Sequence, residues 1–203
     1  MEIDSKEIQT KIGAWFKGGF NLYKENFIVV FVSCIIAMVL GVVSIGILAG
    51  PLLVGVFMIL FRLIEKSSPP PFFSDVFKGF EQFIAGFLFV IVCAIVNFCG
   101  SLVLRSVPNI GGLLGFAYSC ALGGLVIFGL PLIADKKLDF WAALELSIQT
   151  VKPKLIQYLI FSFAGSIITI SGGLLMGVGV LLTFPFYLCS VAVAYKDVFG
   201  TTK

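Results

Sequence analysis

The residue types that carry most enzyme chemistry are either absent from this chain or scattered along it. The 203-residue sequence contains no histidine, which removes the commonest general base, proton shuttle and metal ligand. The acidic residues occur singly, without the spacing of a DxD or HExxH motif. The serines lack both a G-x-S-x-G context and a histidine partner, which disfavours a hydrolase. We therefore assign no catalytic residue, no cofactor-binding residue and no metal ligand, and predict that the protein is not an enzyme.

Glycine clusters and cysteines are predicted to serve helix packing. The clusters at 111–115 and 172–179 do not follow a strand or precede a lysine, as a phosphate-binding loop requires. Small residues let membrane helices approach closely, and Gly173 and Gly177 have the spacing of such a contact. The five cysteines lie inside apolar runs without a CxxC motif, which is typical of buried packing residues. They are Cys34, Cys93, Cys99, Cys120 and Cys189.

The composition indicates that much of the chain is dissolved in lipid. Apolar residues make up 59% of the sequence and charged residues 12%, whereas soluble domains have about 45–50% and about 25%. The net charge of +3 is small and basic residues never run together, so we expect no nucleic-acid partner. Charged residues are frequent in the first 25 positions, before any apolar run. A secretory signal is therefore not expected, and this segment is predicted to stay in the cytoplasm.

Three uncharged stretches are each too long for one membrane crossing, so each predicts a helical hairpin. A single helix between Glu25 and Arg62 would be about 50 Å long, whereas the hydrocarbon core is about 30 Å thick. Turns are predicted where glycine, proline or polar residues interrupt the runs, at 41–46, 105–109 and 171–173. Pro51 and Pro185 fall inside spans and are expected to kink them. The six predicted spans lie near 27–43, 46–64, 83–104, 111–134, 155–171 and 174–195.

Each predicted hairpin follows a segment with apolar residues at helical spacing and lysine on the opposite face. Such a helix suits the cytoplasmic headgroup layer. Its start is marked by a capping residue: Asp4 with Glu7, then Ser74, then Asp139. The three apolar stripes are Ile8, Ile12, Trp15, Gly19 and Leu22; Val76, Phe80, Phe83 and Phe87; and Trp141, Leu144, Ile148 and Val151.

The predicted fold class is all-α, a polytopic membrane protein with six transmembrane helices arranged as three hairpins. A single integral membrane domain covers residues 1–203. It contains interfacial helices at 5–24, 74–82 and 140–151, and hairpins at 27–64, 83–134 and 155–195.

The ends of the hairpins repeat a short charged pattern. The second spans end in Arg62-Leu63-Ile64-Glu65-Lys66, in Leu132-Ile133-Ala134-Asp135-Lys136 and in Ala194-Tyr195-Lys196-Asp197. Phe16-Lys17-Gly18 and Phe77-Lys78-Gly79 add a match between the first two segments. These patterns indicate three copies of one unit. Identity elsewhere is slight, so convergence under the same membrane constraints stays open as the alternative.

The distribution of charge predicts the orientation. Arg105 is the one charged residue among the three hairpin tips, so 24 of the 25 charged residues fall on the opposite side. Short loops rich in lysine and arginine remain cytoplasmic. We therefore expect a multi-pass protein of the plasma (inner) membrane with both termini in the cytoplasm.

A signature in the C-terminal third carries a family resemblance. It consists of Ala143-Leu144 with Ser147, then Lys154, Gly177-Val178-Gly179, Thr183, Pro185 and Ala194-Tyr195-Lys196-Asp197. This pattern resembles prokaryotic six-helix integral membrane proteins of unassigned function, similar to the membrane domain of glycerophosphodiester phosphodiesterases. The resemblance implies a bacterial or archaeal plasma-membrane protein that acts with a partner. It carries over no catalytic residue, because the catalytic domain of those enzymes is not found in this sequence.

Two functions are compatible with these patterns. The first is a non-enzymatic integral membrane scaffold or accessory subunit that binds a membrane or cytoplasmic partner. Its expected partners are the lipid bilayer and either another protein or further copies of the chain. The alternative is a channel or passive transporter for a small solute. In that case the polar residues at membrane depth would line a pore instead of joining helices; they are Asn97, Tyr118, Gln157, Thr169 and Thr183.

The first predicted span can be tested with Leu40→Arg. A charge in the middle of a span costs about 2.5–3.5 kcal/mol on insertion scales, so this variant should fail to insert or should be unstable. The measurement is the yield of protein in the membrane fraction. A yield equal to that of the unsubstituted protein would contradict the span assignment.

Overall fold

The computed structural model of the chain is almost entirely helical, which confirms the predicted all-α class. It describes residues 5–173 and 178–200, with side chains for 11–173 and 179–200. A 3-10 segment at Phe73–Gln82 lies between the third and fourth α-helices, and a short 3-10 turn at Lys152–Lys154 joins the seventh and eighth. The α-helices are α1 Ser5–Glu25, α2 Phe27–Val43, α3 Ala49–Ile64, α4 Phe83–Arg105, α5 Gly111–Leu125, α6 Gly129–Lys136, α7 Phe140–Val151, α8 Leu155–Gly173 and α9 Val178–Phe199.

Most predicted helix boundaries agree with the structure. Helices α2 and α7 have the predicted limits, and α4 and α8 differ from prediction by one or two residues at one end. Asp139 caps α7, because its carboxylate accepts a hydrogen bond of 3.2 Å from the backbone N–H of Ala142. The predicted cap at Asp4 and the predicted start of the last span at 174 lie outside the described residues.

The proline and serine predictions at two helix starts are wrong. Pro51 is the third residue of α3 and therefore lies in the first helical turn, where the missing N–H breaks no helical bond. It is not positioned to kink the interior of a span, whereas α9 does continue through Pro185. Ser74 lies inside the 3-10 segment, and the carboxylate of Asp75 accepts the N–H of Phe72 at 3.2 Å instead.

Helices α5 and α6 divide the predicted span 111–134 at a three-residue break. A side chain from α7 satisfies the backbone there. The Ser147 hydroxyl donates to the carbonyl of Leu125 at 2.9 Å and accepts the N–H of Phe128 at 3.3 Å. Buried backbone groups need such partners when a helical ladder is interrupted.

Several stretches of helix are long and apolar enough to cross a membrane. Four of them lie within the described residues: Phe73–Arg105, Gly111–Lys136, Phe140–Gly173 and Gly179–Phe199. Helices α1 and α2 add a fifth if they are counted as one span, although the chain bends by 97° between them. Helix α3 has 16 residues and is about 24 Å long, which is shorter than a usual span.

The helices pack in a cyclic order: the segment that begins each predicted repeat contacts the last helix of the repeat before it, and α1 contacts the last helix of the chain. Helices α3, α6 and α9 contribute most of the fully buried side chains, including Leu60, Leu132 and Ala192. Each amphipathic segment packs against one of these three: the 3-10 segment against α3, α7 against α6 and α1 against α9. The next helices follow the same order, because α4 contacts α3, α8 contacts α5 and α2 contacts α9.

The predicted apolar stripes are buried in part. In α1, Ile12, Trp15 and Leu22 are buried as expected, and Val76 is buried in the 3-10 segment. In α7 Val151 is buried as predicted, but Ala143 and Ser147 are buried in place of Leu144 and Ile148, and Trp141 is 62% exposed. The smaller residues of α7 are buried because its backbone lies close to the break between α5 and α6.

Glycine permits the closest helix contacts. A β-carbon on Gly79 would collide with the backbone of Pro51 and Gly55, so the 3-10 segment touches α3 backbone to backbone. Helices α8 and α9 meet in the same way at Gly172 and Gly179. Of the pair predicted from spacing, Gly177 lies outside the described residues, and a β-carbon on Gly173 would meet only Val180 at 3.7 Å.

We expect Gly79→Ala to lower the melting temperature of the detergent-solubilised protein by several degrees. The added methyl forces the backbones of the 3-10 segment and α3 apart, and such overpacking costs about 1–3 kcal/mol. The matched control is Gly13→Ala, which adds the same methyl in α1 with no atom within 4 Å. Equal melting temperatures for the two variants would contradict the close contact.

Candidate functional site

The three repeated span endings meet at one place in the fold. Glu65 directly follows α3, Asp135 lies in the last turn of α6, and Lys196 lies in the last turn of α9. Their charged groups form a single cluster, which we call the ionic node. The sequence pattern marked these residues as similar in position, but gave no indication that they touch.

Lys196 is the centre of the node. Its ammonium group lies 2.8 Å from a carboxylate oxygen of Glu65 and 3.2 Å from one of Asp135. The Lys196 side chain is 5% exposed and that of Asp135 is 10% exposed, whereas Glu65 is 31% exposed. Because removing an ammonium group from water is costly, a lysine this deeply buried depends on both carboxylates.

Aromatic side chains surround the buried ammonium group. The Tyr195 hydroxyl donates a 2.8 Å hydrogen bond to the second oxygen of Asp135. The Phe61 ring lies 4.7 Å from the Lys196 nitrogen, within the range of a cation–π contact. Phe61 also packs on Tyr195, with ring centroids 5.0 Å apart. The node therefore joins charge pairing to an apolar core and leaves little room for water.

Polar contacts near the node attach two of the amphipathic segments, the 3-10 segment and α1. Arg62, at the end of α3, binds Asp75 of the 3-10 segment at 2.7 Å and donates a 2.8 Å bond to the carbonyl of Pro69. Asp75 also pairs with Lys78 at 2.8 Å. On the other side of the fold, the Trp15 indole N–H donates to Asp197 at 3.0 Å and ties α1 to the end of α9.

Four of the five polar residues predicted at membrane depth make hydrogen bonds within the bundle. Asn97 of α4 accepts a 2.9 Å bond from Ser119 of α5, and the hydroxyl of Tyr118 donates to the carbonyl of Val96 at 3.1 Å. Thr169 donates within α8. Thr183 of α9 donates to a carbonyl of its own helix at 3.1 Å and lies 3.5 Å from the carbonyl of Thr169. The bonds of Asn97 and Tyr118 join α4 to α5, whereas that of Thr169 stays within its own helix.

Gln157 is the fifth of these residues, and its surroundings differ. It is 4% exposed and borders a cleft of about 300 Å³ at the end of α9, together with Lys154 and Tyr158. Its side-chain amide makes no hydrogen bond within the described part of the chain. The cleft lies beside the Trp15–Asp197 contact.

The described residues include no cluster of three or more histidine, cysteine, aspartate or glutamate side chains that could hold a metal ion. The cysteines are free thiols. Cys34, Cys120 and Cys189 are buried as predicted, whereas Cys93 is half-buried and Cys99 is exposed, so the prediction is wrong for these two. The ionic node contains two carboxylates, a lysine and a tyrosine, but these groups are directed at one another. Its geometry supports a structural role at the joined ends of three helices.

The signature residues coincide with these contacts. Ala143 and Ser147 are the buried residues of α7, and Lys154 borders the cleft. Lys196 is the centre of the node, and Asp197 holds Trp15. No known protein family, no curated protein and no solved structure matches the chain.

We expect Lys196→Met to destabilise the detergent-solubilised protein by about 3 kcal/mol. The substitution leaves the Asp135 carboxylate buried without its cation, and breaking a buried pair costs about 3–5 kcal/mol. The partial exposure of Glu65 favours the lower end of this range. The measurement is the free energy of unfolding in denaturant.

Two matched variants test the reason for this loss. Lys17→Met removes an exposed lysine of α1 and should change stability little. Adding Asp135→Asn to Lys196→Met should restore part of the loss, because it removes the charge that Lys196 neutralised while an oxygen remains for Tyr195. Lys196→Met with the stability of Lys17→Met would show that the node does not hold the fold together.

Proposed function

We propose that the protein is a non-enzymatic integral membrane scaffold or accessory subunit. The observation that carries the proposal is the ionic node, which joins helix ends far apart in sequence into one unit. Apolar side chains from the same three helices are completely buried beside it. A largely buried junction of paired charges suits a platform for a partner better than a path for a solute.

The cyclic packing supports the finer arrangement of three hairpins and six crossings. Each unit would contain an amphipathic segment and two crossings, with α5 and α6 together forming one crossing. Helix α3 would cross as a short span whose amphipathic neighbour, the 3-10 segment, extends along its side. The bend of 97° after α1 suits a helix that enters from the membrane surface. The repeated endings would then lie on one side, and the positive-inside rule supports our proposal that both termini are in the cytoplasm.

Exposed basic residues lie near the node and are available to a partner. Lys66 and Lys136 each directly follow a carboxylate of the node, and both are exposed. Exposed charged side chains such as Lys66 and Lys136 can select a partner of opposite charge. We propose an acidic surface of a membrane or cytoplasmic protein as that partner, in keeping with the resemblance to prokaryotic membrane proteins.

Purification of the full chain from its native membranes in mild detergent tests the proposal. We expect one partner protein, or a homo-oligomer, at a fixed ratio measured by light scattering. Lys66→Glu should reduce partner recovery because it replaces a positive charge beside the node with a negative one, which an acidic partner would repel. Lys17→Glu makes the same charge change at an exposed position of α1 and should leave recovery unchanged.

The competing function is tested with reconstituted vesicles. A scaffold should give the solute flux of protein-free vesicles. Monomeric protein without a partner would contradict the proposal if it also gave solute flux that Asn97→Leu reduced. In that case the channel would be the better interpretation.

A further inference from the structure

The cleft bordered by Gln157 is built from three parts of the chain that are distant in sequence. Trp15 comes from α1, Lys154 and Tyr158 from the region where α7 joins α8, and Asp197 from the end of α9. The volume of about 300 Å³ would hold roughly ten water molecules. None of the three charged residues of the ionic node lines the cleft, so the cleft is a separate feature of the fold.

The side chains around the cleft are suited to an anionic group. Lys11 and Lys154 bring two ammonium groups to its border, and Asp197 brings one carboxylate that already accepts the indole N–H of Trp15. Gln157 adds an amide and Tyr158 a hydroxyl, and both residues are less than 5% exposed. Amide, hydroxyl and ammonium donors around one small space are the groups that bind phosphate oxygens.

Gln157 is the observation that points most directly to a ligand. A primary amide can donate two hydrogen bonds and accept two. No side chain or backbone group of the described residues bonds this amide. Its polar atoms open into the cleft, so a molecule bound there could complete their hydrogen bonds.

The surroundings of the cleft favour a lipid as the source of the phosphate. Ile156 and Ile160 lie on α8 next to Gln157, and they are 53% and 46% exposed. Exposed isoleucines on a helix that is apolar enough to span a membrane are positioned to contact acyl chains. A phosphate bound at Lys154 would therefore sit directly beside a surface for the hydrocarbon of the same molecule.

We propose that this cleft binds the phosphate ester headgroup of a phospholipid, with Lys154, Gln157 and Tyr158 as the main donors. This inference rests on the proposed placement in a membrane but not on the scaffold role. Binding would hold the start of α8 and, through Trp15 and Asp197, the middle of α1 and the end of α9 around one lipid.

The test measures the melting temperature of the full chain in mild detergent with three probes. These are dioctanoyl phosphatidylglycerol, dioctanoylglycerol with the same chains and no phosphate, and inorganic phosphate. A ligand that binds only the folded protein raises the melting temperature with its concentration. We expect phosphatidylglycerol to raise it and the other two probes to have little effect at equal concentration.

Two variants and one control connect the effect to the cleft. Lys154→Met and Gln157→Leu should each weaken the apparent affinity for phosphatidylglycerol roughly ten-fold or more, because each removes a phosphate donor. Lys152→Met removes an exposed lysine two residues away that does not border the cleft, and should bind like the unsubstituted protein. If Gln157→Leu fails to fold, the exposed position of Lys154 keeps the test available.

Three outcomes would overturn the inference. An equal shift with dioctanoylglycerol would mean that acyl chains alone account for binding. An equal shift with inorganic phosphate would assign the cleft to a soluble phosphate and not to a lipid. Undiminished phosphatidylglycerol binding by Lys154→Met and Gln157→Leu would place the lipid elsewhere. None of these outcomes depends on partner recovery, so the scaffold proposal stands or fails separately.

Discussion

The fold depends on one buried positive charge shared between two carboxylates. Lys196 could not lie 5% exposed at the end of α9 unless Glu65 and Asp135 were brought to it from α3 and α6. The pairing fixes which helix ends must meet, because a carboxylate at any other position would leave the ammonium group without a counterion. Apolar packing alone lacks this selectivity, since the side chains of most of these helices are chemically alike. The ionic node therefore specifies the arrangement that the apolar contacts then stabilise.

The sequence predicted the helices well, because their limits depend on local chemistry. Charged residues, glycines and Asp139 mark where an apolar helix must begin or end, and α2 and α7 have the limits expected from them. Pro51 was misjudged because the predicted start of its span lay three residues too early. A small shift of that kind changes a proline from an interior kink to a tolerated first-turn residue.

The contacts between helices were not predictable in the same way. The similar endings at Glu65, Asp135 and Lys196 were visible as a repeat, but nothing in one sequence states that a carboxylate of the first and second copies binds the lysine of the third. The role of Gln157 was equally unpredictable from the sequence. Its residue type suggested a helix-joining role like that of Asn97, and only the surrounding side chains distinguish the two positions.

Lysine serves two different purposes in this protein, and burial decides between them. Lys196 is enclosed by carboxylates and aromatic rings, so its charge pairs helix ends with one another. Lys66 and Lys136, next to the same carboxylates in sequence, are exposed, and the Lys136 nitrogen lies 4.9 Å from the centre of the Phe199 ring. Substitutions at the exposed lysines should therefore leave the node intact. Such a division would let the fold keep its architecture while its partner changes, which is what the proposed scaffold role requires.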